Sequence, residues 1–326
     1  MIDVRTYGAI PDGTTDCITS INAALIDGDI ILQNGIFLIG SPIVIPSNRT
    51  VYGKNCELFA KNETYDNMFR NSDFVNGNSN CNIKGLGNFC INGNSANNTD
   101  AEYDYWVQGG EHFNHAGMYH YAKIQFYNVA GFEISGVKNI CRPAFFMNIA
   151  KSYNGIIDDV FLNIDYLAVN QDGIAIRQGC HDIKINNIYG HSGDDFISLN
   201  ALEIAQWNPI IEGQDQGDIS DIEITNIIIG KSNIHDIIID GVDVLTASSA
   251  LGFGAHTWAI NQPTKDETYN FTVNNLKVKN ASVAAIILDQ SCKDVAITNL
   301  TNDSASPDFV KTYGTQENIT INGVTV

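Results

Sequence analysis

Three aspartates in the middle of the chain have residue types and a spacing that suit acid–base chemistry. Asp172 lies within Asn170–Ile176, and the pair Asp194-Asp195 lies within Gly193–Leu199. Aligning the apolar residues that follow the aspartates sets Asp172 one repeat before Asp195. Carboxylates that lie close together repel each other, so at least one of them binds a proton near neutral pH. A protonated carboxyl beside an ionised carboxylate is what hydrolysis of a glycosidic bond requires, although a calcium site or a plain turn would use the same residues.

The elements that must position these aspartates repeat along the second half of the chain. A four-residue pattern recurs there: an apolar residue, a polar residue, a turn-forming Asn, Gly or Asp, and a second apolar residue. It is found at Ile134–Val137, Ile157–Val160, Ile185–Ile188, Ile224–Ile227, Val273–Leu276, Ile297–Leu300 and Ile321–Val324. Each unit is typical of a short β-strand that cannot bury its own apolar row, whereas stacked units share one core. The basal step of about 23–24 residues lies in the range of solenoid repeats and fits three short strands and three turns. We therefore predict an all-β, single-stranded, right-handed parallel β-helix that forms a single domain over residues 1–326. A β-sandwich would require turns roughly every 8–12 residues.

Two parts of the chain depart from this repeat. The open end of a β-helix exposes an unpaired strand edge that must be covered, and we expect residues 1–30 to cover it. They contain a predicted short helix over Cys17–Leu25, with Thr15 or Asp16 as its N-cap residue. The step also lengthens twice, which predicts loop insertions at 201–218 and 243–268 that wall a groove beside the aspartates. Trp207 and Trp258 lie in these insertions and are candidates for stacking on sugar rings, or for anchoring their own loops.

Composition excludes several classes of partner and cofactor. The chain has 18 Lys and Arg against 37 Asp and Glu, a formal net charge of −19, which disfavours nucleic acid and anionic membranes as partners. No apolar run approaches the length of about 18 residues that a membrane span needs. The seven Cys lack metal-ligand spacing, so we expect buried free thiols, with neither a metal nor another cofactor. Residues 1–5 carry no signal-peptide pattern, which leaves the compartment unknown, although a polysaccharide substrate favours an extracellular or virion-associated protein.

The segments around the aspartates resemble the polygalacturonases of glycoside hydrolase family 28. In that family an Asn-Thr-Asp motif is followed, one coil later, by Gly/Gln-Asp-Asp, and Asn170–Asp172 and Gly193–Asp195 stand for them here. Further similar segments are Ile91–Asn94 with Tyr105-Trp106, and Arg142–Phe146 with Tyr153–Ile157. Tyr7–Asp16 is similar to the entry segment of many pectate-lyase-like β-helices, including phage tailspikes. The resemblance covers about residues 1–200.

The resemblance implies a glycosidase that inverts configuration. It assigns the general acid to Asp194, and it gives Asp172 and Asp195 the task of holding and activating water. Asn170, in the first motif, becomes a candidate substrate contact. The substrate implied is a polysaccharide, and no cofactor is implied.

Two family features are missing, and the absence of the second weakens the case for galacturonate. The Gly-His-Gly expected about one coil after Asp195, near 214–217, has no histidine, and the Arg-Ile-Lys that grips the substrate carboxylate is absent. His256 is a candidate for the place of the missing histidine. Arg177 is either a ligand contact or a surface ion pair, and His191 either orients an aspartate or contacts the sugar, or is a turn histidine bonded to backbone.

Two other functions stay open at this point. A polysaccharide lyase of the same fold would need a Lys or Arg base and usually calcium, whereas basic residues are scarce near 170–200. A phage tailspike or host-glycan-binding protein would keep the aspartates with weak or no turnover. Such proteins are often trimers, so a homotrimer is the assembly expected for that function.

Overall fold

The computed structural model describes residues 1–64, 67–94, 97–98, 122–140, 145–164, 171–177, 179–200, 234–253, 268–288, 292–304, 310–312 and 316–325. A 3-10 helix covers Val4–Tyr7, and the helix α1 covers Ile18–Asp27. The strands are β1 (Ile2–Asp3), β2 (Asp12–Asp16), β3 (Ile30–Ile39), β4 (Ile43–Ile45), β5 (Arg49–Ala60), β6 (Phe69–Asn71), β7 (Asn78–Gly85), β8 (Phe89–Asn92), β9 (Ile124–Tyr127), β10 (Val129–Ile140), β11 (Phe145–Ala150), β12 (Tyr153–Asn163), β13 (Asp172–Arg177), β14 (His181–His191), β15 (Ile197–Asn200), β16 (Ile234–Phe253), β17 (Thr268–Val278), β18 (Ala281–Leu288), β19 (Cys292–Thr298), β20 (Thr301–Asn302), β21 (Val310–Thr312), β22 (Gln316–Ile321) and β23 (Val324–Thr325).

These strands form a right-handed parallel β-helix, as the sequence predicts. Two parallel ladders run along it. The first, sheet A, runs in order through β3, β5, β7, β10, β12, β14, the first half of β16, β17, β19 and β22. The second, sheet B, runs in order through β4, β6, β9, β11, β13, β15, the second half of β16, β18 and β21. At the far end β23 folds back antiparallel on β22.

The repeat seen in the sequence is the register of sheet A. Its inward positions pair in the series Ile134, Ile157, Ile185, Ile239, Val273, Ile297 and Ile321. All of them are buried, which gives the β-helix one continuous apolar core. The turn prediction also holds, because most of the non-glycine residues with positive φ are asparagines, the residue that tolerates this conformation best.

The sequence-based prediction was wrong about the middle of sheet A. The unit that pairs with Ile185 is Ile239-Asp240-Gly241-Val242, which the prediction overlooked, and the unit at 224–227 lies outside the described residues. The predicted loop insertion at 243–268 is also incorrect over 243–253, because β16 continues to Phe253 and passes from sheet A into sheet B. That insertion was inferred from the length of a gap, whereas Val242 and Val244 continue the buried alternation of a strand. Residues 201–218 and 254–267 lie outside the described residues.

Residues 1–30 cover the N-terminal end as predicted, although strands share the task with the helix. β1 and β2 pair with β3 at the edge of sheet A. At the edge of sheet B, the side chain of Asn22 in α1 accepts a hydrogen bond from the Val44 amide at 3.0 Å and donates to the Pro42 carbonyl at 3.1 Å. Cys17 is the N-cap of α1, while Asp16 accepts a hydrogen bond from the Ile18 amide at 3.1 Å. Among the described residues, no helix is long and apolar enough to cross a membrane.

Candidate functional site

Two adjacent coils of sheet B bring the three aspartates together. β13 pairs with β15 through Ile174 and Ile197, which is the offset of one repeat that the sequence predicts. The Gly173 amide donates to the carbonyl of Asp195 at 2.9 Å, and the Asp194 amide donates to the carbonyl of Gln171 at 3.1 Å. Because these backbone hydrogen bonds continue the ladder beyond the strand ends, the carboxylates project from neighbouring strand positions about 4.8 Å apart.

The three carboxylates differ in their access to solvent. Asp172 is 4% exposed and Asp195 is 7% exposed, whereas Asp194 is partly exposed. The turn that carries Asp194 is closed by the Ser192 hydroxyl, which donates to the Asp194 carbonyl at 2.9 Å. Asp194 is therefore the aspartate of the three that a solute reaches most easily.

Asp172 is a buried carboxyl surrounded by charge of its own sign. Burial raises its pKa well above the ordinary value of 3.8, and the negative charges of Asp195 and Asp194 raise that pKa further. The guanidinium of Arg177, 3.3 Å away, and the hydroxyl of Ser198, which donates to Asp172 Oδ2 at 2.7 Å, act in the opposite direction. Since the raising influences win, this cluster holds a proton at a pH where an exposed aspartate has lost it.

Arg177 is not a surface residue, so the surface ion pair considered from the sequence is incorrect. Its side chain is 5% exposed, and its guanidinium lies 5.1 Å from the centre of the Phe145 ring as well as beside Asp172. Phe145 is itself the β11 residue that pairs with Asp172. An aromatic face and a carboxylate thus compensate this buried cation together.

Asp195 is contacted by the next coil of sheet B. Ser249 of β16 donates its hydroxyl to Asp195 Oδ1, and the Phe196 amide donates to the Ser249 carbonyl at 2.9 Å. Sequence reasoning missed Ser249 and also Ser198, because a serine in a strand carries no signal of its own. Only the strand pairing identifies them, and Ser249 follows Asp195 in space although residues 196–248 separate them in the chain.

Of the other residues singled out from the sequence, the structure describes His191, and it does not join this residue to the cluster. His191 ends β14 in sheet A with an intermediate exposure, and no hydrogen bond or ion pair joins its imidazole to a carboxylate among the residues that the structure describes. Four candidates lie outside the described residues, namely Asn170, Trp207, His256 and Trp258.

The described part of the chain offers no clear place for a metal. Within it, no group of three or more His, Cys, Asp or Glu side chains has an arrangement that could hold an ion. The described cysteines are free and buried, as expected. The groups that the described residues bring to the cluster are carboxylates, hydroxyls and one guanidinium.

Two sequence comparisons relate this chain to known proteins. The family model "Glycosyl hydrolases family 28" matches residues 53–209, a little under half of the chain. A curated relative, the pre-neck appendage protein of Bacillus phage B103, is 30% identical over 99 residues, which cover 28% of this chain and 11% of that protein.

Solved structures share the fold at low sequence identity. The hyperthermoactive exopolygalacturonase of Thermotoga maritima matches with a TM-score of 0.55 at 15% identity, over 99% of this chain and 92% of that one. The pre-mature gene product 12 of bacteriophage phi29 matches with a TM-score of 0.56 at 14% identity, over 94% of this chain and 42% of that one. These matches establish the β-helix fold, and the family-model match includes Asp172, Asp194 and Asp195. The chain is thus similar to the glycosyl hydrolases of family 28 over residues 53–209, and it shares its fold with the Thermotoga maritima exopolygalacturonase and with gene product 12 of phi29.

Proposed function

We propose that this protein is a glycoside hydrolase that cleaves a polysaccharide with inversion of configuration. The observation that carries the proposal is the cluster of Asp172, Asp194 and Asp195 on paired strands, inside the stretch matched by a glycosidase family. An inverting glycosidase needs one carboxyl that donates a proton and another carboxylate that activates a water molecule on the opposite side of the sugar. This cluster supplies both kinds of group.

Asp194 is the general acid in this proposal. Its partial exposure lets it reach the oxygen of a glycosidic bond, which the two buried aspartates cannot approach as closely. In the proposed mechanism, Asp194 carries a proton when the substrate binds. Donation of that proton to the leaving oxygen breaks the bond between the sugar carbon and the leaving group, and Asp194 becomes a carboxylate.

Asp172 and Asp195 together form the general base. As water attacks the sugar carbon, it passes one proton to this pair, so the number of protons in the cluster is restored at the end of the reaction. Burial and the neighbouring negative charges raise the pKa of Asp172, so Asp172 serves as part of the base at a pH above that pKa, where it is ionised. The proton then returns to Asp194 by exchange within the cluster or with solvent.

Arg177 has a supporting role in this mechanism. Its guanidinium is already paired with Asp172 and packed on Phe145, so it compensates the charge of the buried base. It is consequently a poor candidate for gripping a uronate carboxylate, and we include neutral polysaccharides among the expected substrates. Asn170, His191, His256, Trp207 and Trp258 stay predicted substrate contacts.

A second candidate function rests on the phage relative. The similarity to a pre-neck appendage protein favours a protein of a phage appendage that binds a host glycan, with weak or no turnover, as a homotrimer. A polysaccharide lyase is less favoured, since the basic side chain found beside the described aspartates is the ion-paired Arg177. Nucleic acid is not proposed as a partner of a chain with a net charge of −19.

The test compares reducing-end release from a panel of neutral and acidic plant and bacterial polysaccharides. Wild type is measured beside Asp194→Asn, which removes the acid, and Asp159→Asn, a control at an exposed turn position where the paired strand has Asn187. We expect release by wild type and by the control, and a loss of about 10²–10⁴-fold in Asp194→Asn. Glycan binding without release by wild type would reject hydrolysis and support the appendage function, and equal rates in wild type and Asp194→Asn would reject the acid assignment.

A further inference from the structure

The carboxylate of Asp195 is held from the coil that follows it. Ser249 is fully buried, and its hydroxyl donates to Asp195 Oδ1. The pairing of Ile197 with Leu251 places Ser249 directly beside Asp195 in the ladder. A backbone hydrogen bond joins the two coils at the same place, because the Phe196 amide donates to the Ser249 carbonyl at 2.9 Å.

The other oxygen of this carboxylate lies against a glycine of the same strand. A Cβ atom built on Gly252 would lie 2.6 Å from Asp195 Oδ2, closer than van der Waals contact allows. Gly252 has no positive φ, so its backbone conformation does not require a glycine. A glycine is required because a side chain at this position would occupy the space that the Asp195 carboxylate fills.

The preceding coil uses the same kind of donor. Ser198, which pairs with Gly252 in the ladder, is fully buried and donates to Asp172 at 2.7 Å. A serine hydroxyl has one proton to give and does not titrate in the physiological range, so it stays a donor to an ionised carboxylate at any working pH. The site thus pairs each buried carboxylate with one neutral donor from the next coil.

We propose that Ser249 and Gly252 are positioning residues for Asp195, the hydroxyl fixing Oδ1 and the open space beside Gly252 accommodating Oδ2. Asp195 then keeps one orientation when it activates water, a role that rests on the function proposed above. The family resemblance leads us to expect a histidine about one coil after Asp195 and offers His256 for it. Ser249 is the polar side chain that the described structure places at that position.

The test uses Ser249→Ala and Gly252→Ala, which disturb the two oxygens separately. Ser152→Ala is the matched control, because Ser152 is equally buried but its hydroxyl bonds only backbone, donating to the Ala150 carbonyl at 2.8 Å and accepting from the Val129 amide at 3.0 Å. We expect kcat to fall about 10- to 100-fold in both test variants with KM nearly unchanged, the scale of a displaced catalytic group. The control should change the unfolding midpoint but not kcat.

A readout that does not depend on turnover separates this inference from the proposed function. The ¹³C signal of the Asp195 carboxylate, identified by its loss in Asp195→Asn, should shift in both test variants and stay in place in Ser152→Ala. If wild type cleaves no polysaccharide while these shifts occur, the proposed function fails and the placement of Asp195 stands. An unchanged Asp195 signal in Ser249→Ala and Gly252→Ala, or unchanged kcat in both, overturns the inference.

Discussion

The raised pKa of Asp172 predicts that the folded protein loses stability as the pH rises. A carboxyl whose pKa is higher in the folded than in the unfolded state binds its proton more tightly when folded, so its contribution to stability is fully present below the unfolded value of 3.8. That contribution declines as the pH rises and is gone above the folded pKa. Asp172→Asn removes this dependence, because the amide does not titrate.

The size of the effect follows from one proton. Between about pH 4 and the folded pKa, the free energy of unfolding of wild type should decline relative to Asp172→Asn by about 1.4 kcal/mol per pH unit. Above the folded pKa the difference should become constant, so the bend in the curve marks the pH at which the folded cluster loses this proton. Urea unfolding of both proteins at intervals between about pH 4 and 8 gives the curve.

Asp12 provides a control of opposite sign. Its exposed carboxylate accepts hydrogen bonds from the Thr14 and Thr15 amides at 2.8 and 2.7 Å, which hold its pKa below the ordinary value. Its contribution is therefore present above pH 3.8 and lost only as the pH falls, so Asp12→Asn should differ from wild type by a constant amount over the measured range. A flat or rising difference for Asp172→Asn would show that Arg177 and Ser198 outweigh burial, and it would refute the reasoning.

Two further predictions concern the burial of Arg177 and the close packing of neighbouring coils. Arg177→Met should lower the free energy of unfolding by about 3–5 kcal/mol at pH 8, because it leaves the buried Asp172 carboxylate without its cation. The loss should be smaller near pH 4, where Asp172 is protonated. Urea unfolding at the two pH values measures both losses, and equal losses would contradict this prediction. Gly190→Ala should lower the free energy of unfolding by about 1–3 kcal/mol more than Gly323→Ala in the same assay. Both glycines have positive φ, but a Cβ on Gly190 would lie 1.9 Å from the Leu162 carbonyl oxygen, whereas one on Gly323 has no atom within 4 Å. Equal losses in the two variants would contradict this reasoning.

The fold was predictable because its signals are local. Each coil repeats a short apolar alternation closed by Asn, Gly or Asp, so strand type, parallel stacking and turn chemistry can all be read within a few residues. The helix α1 followed from the apolar positions Ile18, Ile21, Ala24 and Leu25, of which the last three are buried and Ile18 is partly exposed. The failure at Ile239–Val242 has the same origin, because a rule based on regular spacing misses a true unit that follows an irregular gap.

Only the part of the site that depends on residue spacing was predictable from the sequence. The offset of one repeat placed Asp172 beside Asp195, and the structure has that pairing. Burial of these carboxylates, and of Arg177, depends on how three coils pack together, which no local pattern reports. Ser249 shows the limit most clearly, since its contact with Asp195 exists only through the pairing of β15 with β16.

In a β-helix, the spatial distance between two site residues does not depend on how many residues separate them in the sequence. Asp172 and Asp195 are one repeat apart in the sequence and Ser249 follows much later, yet each lies one strand spacing from the next. The ladder therefore fixes the distance between functional groups, whatever number of residues separates them in the chain. Because each coil contacts only its neighbours, the charge balance around Asp172 is set by β11, β13 and β15, and the orientation of Asp195 by β16. Substitutions in β19 or β22 should consequently leave this chemistry intact even where they lower the stability of the last coils.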